Sequence, residues 1–160
     1  MKELVGIAEQ VAAKLIERKQ TIAVAESSSG GLISASLLAV PGASAYFIGG
    51  GVIYTRDARR ILMEIADDAM KGIRSASEVY AKLLANQIRA RFSVDWGLSE
   101  TGATGPTGNR YGDAAGHSCM AVAGPQQAVI TLETGSADRL ANMQAFAATA
   151  LNLLLQNLMR

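Results

Sequence analysis

The stretch from Thr21 to Tyr54 constrains the fold more than any other part of the chain. A short apolar run over 21–25 meets a polar cluster over 26–31, and an apolar pattern of helical period follows. A Pro-Gly turn at 41–42 then leads to a second apolar run that ends at Tyr54. This order predicts a strand, a Ser/Gly turn, a helix, a turn and a strand. Ligands of open α/β sheets bind outside the carboxyl ends of the strands, so we expect a site at the Ser/Gly turn.

The remaining segments alternate in the same way. Apolar residues at helical spacing predict helices over 3–19, over 55–65, from Ser75 or Ser77 onward, and after a cap at Ser136. Short apolar runs predict strands over 94–101, 117–123 and 128–133, the last two joined as a hairpin. Ser28 or Ser29 is expected to cap the helix that follows the first strand, and 67–74 is expected to be a short helix and loop. The chain is therefore predicted to be α/β, a single three-layer α/β/α sandwich over residues 1–160 with a mixed sheet.

Composition narrows the classes of function. With 160 residues, 49% of them hydrophobic and 18% charged, the chain is long and apolar enough for one domain with a real core. A formal net charge of +1 predicts neither nucleic acid nor an anionic membrane as partner. A single cysteine and a single histidine exclude an intrachain disulfide and a Cys- or His-rich metal site, so no metal is expected. No signal peptide and no apolar run of about 20 residues is present, and the expected location is the cytoplasm.

Two glycine-rich turns are candidate binding elements. The turn over 26–31 places small side chains at a helix start, where free N–H groups favour a phosphate or a carboxylate. An ordinary helix cap explains the same pattern equally well. The second turn, over 102–108, could form another wall of the site, although its composition by itself favours a flexible loop. It is not a Walker loop, because no Gly-Lys-Ser/Thr follows.

Single residues are less informative when they are read alone. Ser44 lies just past the Pro-Gly turn with no base beside it in the sequence, so in isolation it is interpreted as a turn residue. His117, at the start of a strand, is interpreted as structural, and Cys119 in the same strand as buried and inert. The pairs Arg59-Arg60 and Asp67-Asp68 are most simply solvated charges.

Three segments carry a resemblance to a known family when they are taken in order and at their observed spacing. They are AVAESSSGGLIS, then VPGASAYFIGGGVIYTRDAR, then LSETGATGPTG. Together they resemble the CinA C-terminal domain family, and the match covers nearly the whole chain. The resemblance implies an α/β/α fold and a homo-oligomer. It also implies a reaction of pyridine nucleotide salvage, the hydrolysis of nicotinamide mononucleotide to nicotinate mononucleotide and ammonia. The implied partner is this small nucleotide, and neither a metal nor an organic cofactor is implied.

The resemblance also implies roles for individual residues. Ser44 matches the serine nucleophile and Tyr54 a tyrosine that assists it, while Arg59 stands where the family has a lysine thought to act as general base. An arginine stays protonated at any ordinary pH and cannot serve as that base. Arg59 could instead orient the substrate, or favour a Tyr54 phenolate as the base. Substrate binding is implied for a set drawn mostly from the turns: Glu26, Ser27, Ser29, Gly30, Gly31, Gly42, Gly102, Thr104 and Gly105.

A second difference from the family, after Arg59, lies before the last helix. The family commonly has Gly-Asp-Arg there, whereas this chain has Gly135, Ser136 and Ala137, with Arg139 two positions later. The leading hypothesis is an amidohydrolase that resembles nicotinamide mononucleotide deamidase. The alternatives are a non-deamidating paralogue that keeps the nucleotide pocket for binding or regulation, and an enzyme for another small amide or nucleotide.

Overall fold

The computed structural model describes every residue from Met1 to Arg160, and its centre is one five-stranded sheet. The strands are β1 (Ile22–Glu26), β2 (Phe47–Val52), β3 (Trp96–Ala103), β4 (His117–Ala123) and β5 (Ala128–Glu133). Their order across the sheet is β2-β1-β3-β4-β5. β1 runs parallel to β2 and β3, and β4 runs antiparallel to β3 and β5. The predicted mixed sheet is confirmed, as are the bounds of the two strands of the hairpin.

Helices cover both faces of the sheet. They are α1 (Lys2–Arg18), α2 (Leu32–Leu38), α3 (Arg56–Met63), α4 (Glu78–Phe92) and α5 (Arg139–Leu158), with short 3-10 turns at Ala43–Ala45 and Asp67–Met70. α1, α2 and α5 pack together on one face, while α4 covers the other face with α3 beside it. The predicted α/β/α layers are therefore confirmed. None of these helices combines the length and the apolar composition that crossing a bilayer requires.

Strand β1 shows why the core divides into two layers. All five of its residues are buried, as expected for a strand covered by helices on both faces. Ile22 and Val24 point into the larger cluster under α1, α2 and α5, whereas Ala23 and Ala25 point into the smaller one under α3 and α4. Because successive side chains point to opposite faces, β1 contributes residues to both core clusters.

Strand β2 forms one edge of the sheet and pairs only with β1. Its three consecutive glycines accompany both a bulge and a close approach of another side chain. Ile22 lies opposite Phe47 but Ala23 lies opposite Gly49, so one residue of β2 is extra. A Cβ atom at Gly49 would lie 2.8 Å from the Phe92 ring, which therefore packs directly on the glycine.

Side-chain caps begin three of the helices. Thr55 and Ser77 each accept a hydrogen bond from the amide three residues on, which starts α3 and α4. Ser77 is one of the two starts predicted for α4. The predicted cap of α5 is wrong, because Asp138 caps this helix and not Ser136. The Ser136 hydroxyl instead accepts from the Asp138 amide, so it shapes the turn that leads into the cap.

Candidate active site

A cleft of about 590 Å³ opens where the parallel strands end. It lies beside Ser27 after β1, the segment that follows β2, and the end of β3 at Thr101 and Gly102. Its volume falls in the range of small-molecule sites. Three arginines and three tyrosines stand in its wall: Arg56, Arg59, Arg110, Tyr54, Tyr80 and Tyr111. The edge of the sheet at which the sequence predicts a site therefore carries a cleft.

Glu26 is the last residue of β1, and its carboxylate accepts hydrogen bonds from the Ser/Gly turn and the start of α2. Its carboxylate is fully buried and accepts hydrogen bonds from the amides of Gly31, Ile33 and Ser34 at 2.9–3.1 Å. It also accepts from the hydroxyls of Ser29 and Ser34, at 2.7 and 2.8 Å. These amides belong to the start of α2, so the protein's own carboxylate occupies the place predicted for a bound anion.

The cap predicted for α2 is wrong for the same reason. Neither Ser28 nor Ser29 caps the helix, which starts from Gly31 at a φ of 100° and is satisfied by Glu26. A residue with a side chain would be strained at that φ, which explains the glycine. Glu26, Ser29, Gly30 and Gly31, all predicted to bind substrate, do not line the cleft.

Glu100, near the end of β3, is a buried residue of this region that the sequence did not predict. Its carboxylate accepts from the amides of Ser27 and Ser29, at 3.1 and 2.8 Å, and from the hydroxyls of Ser28 and Ser118 at 2.6 and 2.8 Å. Glu100 therefore ties the turn after β1 to β3 and β4. No local pattern marks it, because its partners lie 18 or more residues away in the sequence.

Ser27 is the residue of this turn whose side chain lines the cleft. It is half-buried and lines the cleft, whereas the hydroxyls of Ser28 and Ser29 are held by Glu100 and Glu26. Since its amide is also taken by Glu100, only the Ser27 side chain is available to a ligand.

Arg59 lines the cleft from α3 and is 6% exposed, so its interpretation as a solvated charge is wrong. Its Nη2 donates to Asp67 Oδ1 at 2.6 Å, while its Nε–H is buried without an acceptor. Burial tends to raise the pKa of Asp67, but the hydrogen bond from Arg59 and the charge of Arg60 hold that pKa below its ordinary value. The cleft therefore contains a cation that is only partly paired.

Tyr54 follows β2 and is 61% exposed at the mouth of the cleft. Its hydroxyl accepts from Arg139 Nη2 at 3.3 Å, and Arg139 also donates to the carbonyl of Gly105. The guanidinium beside Tyr54 is thus that of Arg139, since Arg59 is engaged with Asp67. The fold turns Arg139 toward the ends of the strands.

The second glycine-rich loop contributes only its first residues to the cleft. Gly102 lines it, and a Cβ at this position would lie 2.5 Å from the carbonyl of His117 in β4, so only glycine fits. Thr104 and Gly105, also predicted to bind substrate, are buried behind the cleft. Their carbonyls accept hydrogen bonds from Asn142 and Arg139, which joins the loop to α5.

Ser44 and Gly42 lie at the opposite end of the sheet. Both are exposed around the 3-10 turn that precedes β2, beside the start of the strand, and neither lines the cleft. Within one chain, the fold therefore groups the predicted residues Ser27, Tyr54, Arg59 and Gly102 and leaves the predicted nucleophile apart. The role of Ser44 stays a prediction.

His117 anchors the long loop that brings Arg110 and Tyr111 to the cleft. Its Nδ1 contacts the Glu133 carboxylate, and its Nε2 lies 2.7 Å from the carbonyl of Ala76 and 3.7 Å from Asp113 Oδ2. It is structural, as predicted. Cys119 is 1% exposed, and burial raises the pKa of its thiol, which agrees with an inert side chain.

The protein is expected to lose stability as the pH rises above about 6.5, the ordinary pKa of histidine. Burial tends to lower the pKa of His117, but its bonds to Glu133 and Ala76 and the charge of Asp113 raise it above the ordinary value. A folded-state pKa above the unfolded value stabilises the protein below the unfolded pKa, and this contribution is lost as the pH rises through the folded value. Melting temperatures measured over this range for the wild type and His117→Gln test it. An equal pH slope in both proteins would contradict the assignment.

Comparison with known proteins identifies the family. Residues 5–158 match the family model described as the CinA C-terminal domain. A CinA-like protein of Desulforapulum autotrophicum is 35% identical over 155 residues, which cover 96% of this chain and 36% of that protein. A CinA-like protein of Acidobacterium capsulatum is 34% identical over 152 residues, covering 94% and 37%. The chain thus spans little more than a third of the length of these curated relatives.

Solved structures share the fold at low sequence identity. A competence-damaged protein (CinA) superfamily protein from Klebsiella pneumoniae superposes with a TM-score of 0.91 at 23% identity, covering 98% of both chains. One from Enterobacter cloacae superposes with a TM-score of 0.89 at 23% identity, covering 97% of this chain and 92% of that one. The match to the family model over almost the whole sequence shows that this chain belongs to the CinA C-terminal domain family.

Proposed function

We propose that this protein is an amidohydrolase that binds nicotinamide mononucleotide in the cleft and hydrolyses its carboxamide to nicotinate mononucleotide and ammonia. Membership of the family supports the class of reaction. The observation that carries the choice of ligand is Arg59, a buried cation in the wall of the cleft with donor capacity left over.

Arg59 favours an anionic ligand for an energetic reason. A guanidinium has five N–H donors; in this chain Nη2 donates to Asp67, while the Nε–H is buried without an acceptor. A buried charged group with unmet donors costs free energy, so an anion that supplies acceptors in the cleft would be bound favourably. Arg56 and Arg110 add positive charge to the same wall, whose one carboxylate is that of Asp67. A phosphate monoester fits this surplus of positive charge.

The rest of the wall suits the base and the sugar. Tyr54, Tyr80 and Tyr111 offer aromatic faces, and Ile53 and Ile73 offer apolar contact to a pyridine ring. The hydroxyl groups of Ser27, Ser75 and Thr101 stand in the same wall for a ribose and a carboxamide, whereas the Asn109 side chain is engaged with Tyr111 and Asp113. The cleft thus combines an anion-binding wall with surfaces that match a mononucleotide.

The reaction needs a nucleophile and a proton acceptor. Because Ser44 and Tyr54 lie beyond opposite ends of β2 within one chain, the proposed mechanism takes Ser44 from a second copy in the homo-oligomer that the family resemblance implies. Its oxygen attacks the carboxamide carbon, the C–N bond breaks, and ammonia leaves an ester that water then hydrolyses. The Tyr54 hydroxyl gives its own proton to the leaving nitrogen and takes the serine proton in its place. Arg139, which donates to the Tyr54 oxygen, would stabilise the negative charge that develops there during the transfer. Arg59 takes no proton and holds the substrate.

Ammonia release from nicotinamide mononucleotide, with Arg59→Met compared against the wild type, tests this proposal. We expect KM to rise on the order of 10- to 100-fold, because hydrogen bonds to a charged group are lost. Arg60→Met is the matched control, since Arg60 also contacts Asp67 but is 45% exposed in its side chain and does not line the cleft. Equal effects of the two substitutions would contradict a role for Arg59 in binding.

A binding protein without turnover is the second candidate function. The observation that favours it is that neither a lysine nor a histidine lines the cleft, so the familiar nitrogen bases are missing. Nicotinamide mononucleotide would then raise the melting temperature of the wild type without releasing ammonia. Deamidation that appears in Arg59→Lys would show that only the base is missing, whereas binding without turnover in both proteins would favour this second function.

A further inference from the structure

The carboxylate of Asp67 lies in the cleft and binds the cation that the proposed ligand needs. Arg59, whose side chain is 8% exposed, donates through Nη2 to Asp67 Oδ1 at 2.6 Å. Both residues line the cleft. An anion that binds Arg59 through the same nitrogen must therefore replace a carboxylate of the protein itself.

Asp67 can leave Arg59 without losing all of its hydrogen bonds. It begins the 3-10 turn Asp67–Met70, and its side chain is 55% exposed. Its second oxygen, Oδ2, accepts at 3.3 Å from Nη1 of Arg60, which does not line the cleft. An exposed carboxylate loses little when it exchanges an ion pair for water, whereas the buried Arg59 needs an acceptor. A ligand anion can therefore displace Asp67 at small cost.

Tyr80 adds a second hydrogen-bond donor beside Arg59. It lines the cleft from α4 and is 4% exposed. Burial raises the pKa of its hydroxyl, although the charge of Arg59 opposes that rise. The phenol therefore keeps its proton at neutral pH and can donate it to an anion bound at Arg59. Arg59 and Tyr80 together thus offer a ligand more donors than the Asp67 carboxylate uses.

We propose that Asp67 is a specificity-determining residue, an internal competitor that a ligand displaces from Arg59 only when it carries more charge than one carboxylate. A phosphate monoester carries about 1.5 to 2 negative charges at pH 7, whereas each phosphate of a diester carries one. The cleft should therefore prefer a mononucleotide to a dinucleotide whose phosphates each carry a single charge. This inference rests on the proposed function for the identity of the ligand, whereas competition for Arg59 can be tested with simple phosphates.

Removing the Asp67 carboxylate should tighten the binding of nicotinate mononucleotide, the product of the proposed reaction, which is not turned over. In Asp67→Ala, and in Asp67→Asn, Kd from titration calorimetry should fall about two- to fivefold, the scale of a partly exposed ion pair. Asp57→Ala is the matched control, because Asp57 is another exposed carboxylate bound to Arg60 but does not line the cleft. A Kd that does not fall in the Asp67 variants, or that falls equally in the control, would overturn the proposal.

A double-mutant cycle shows whether the gain in affinity acts through Arg59. Arg59→Met removes the cation for which the ligand and Asp67 compete. Adding Asp67→Ala to Arg59→Met should therefore leave Kd unchanged, and the coupling between the two positions should equal the gain seen in Asp67→Ala alone. The same fall in Kd with and without Arg59 would overturn the proposal, since it would reflect only the loss of a negative charge.

Two small anions separate this inference from the proposed function. At equal ionic strength, methyl phosphate, a monoester, should raise the melting temperature of the wild type, and dimethyl phosphate, a diester, should not. Both should raise that of Asp67→Ala. Equal responses of the wild type to the two anions, or no response of Asp67→Ala to either, would overturn the proposal. If nicotinamide mononucleotide does not bind while methyl phosphate behaves as expected, the proposed substrate is wrong and the role of Asp67 is supported.

Discussion

Replacing Ser44 by alanine should lower kcat for nicotinamide mononucleotide by at least about a thousandfold, the scale on which loss of a serine nucleophile acts. The hydroxyl is exposed and makes no hydrogen bond that the turn requires, so the melting temperature should stay close to that of the wild type. Rates of ammonia release and thermal melts of the two proteins give both numbers.

Thr107→Ala is the matched control for this substitution. Thr107 is another exposed hydroxyl residue in a loop, and it does not line the cleft. Its loss should leave kcat within about twofold, as expected for a surface position away from the chemistry. A Ser44→Ala protein that retains wild-type kcat would remove Ser44 from the mechanism and favour the binding function.

Replacing Glu26 by glutamine should destabilise the protein by about 2–4 kcal/mol, because buried donors lose their acceptor. One carboxylate oxygen accepts from Ser29, Gly31 and Ile33, and the other accepts from the amide and the hydroxyl of Ser34. Whichever oxygen becomes an amide nitrogen, an N–H group then faces at least one backbone N–H. Urea denaturation monitored by circular dichroism measures the loss.

Glu9→Gln tests whether the effect depends on burial and not on charge alone. Glu9 is exposed on α1, and its substitution should change the free energy of unfolding by less than about 0.5 kcal/mol. A Glu26→Gln protein as stable as Glu9→Gln would contradict the assignment of Glu26 as the internal cap of α2.

The location of the candidate site could be predicted from the sequence, because its motifs directly follow the strands in short segments. The polar turn after β1 and the end of β3 do meet at one edge of the sheet, as expected for parallel strands. The prediction is wrong on how the turn is used, because Glu26 and Glu100 occupy its amides and two of its hydroxyls. Local sequence shows that a carboxylate and several amides are present, but not that they satisfy one another.

Arg59 shows the same limit for a charged residue. In the sequence, Arg59 and Arg60 are adjacent and equivalent, yet the fold buries the first and exposes the second. The helical rotation between neighbours in α3 decides which arginine faces the cleft. Arg139 is a further case, because it reaches Tyr54 only through the packing of α5 beside the ends of the strands.

By itself, the sequence determined the α/β class, the strands and helices and the family, because these follow from apolar periodicity and from motifs within short segments. Only the tertiary structure decided which side chains are buried and which lie close to one another. It buried Glu26, Glu100 and Arg59, turned Arg139 toward Tyr54, and put Ser44 at the far end of β2. Proximity across the sheet depends on strand order and helix packing, which couple residues far apart in the chain, and no local pattern records that coupling.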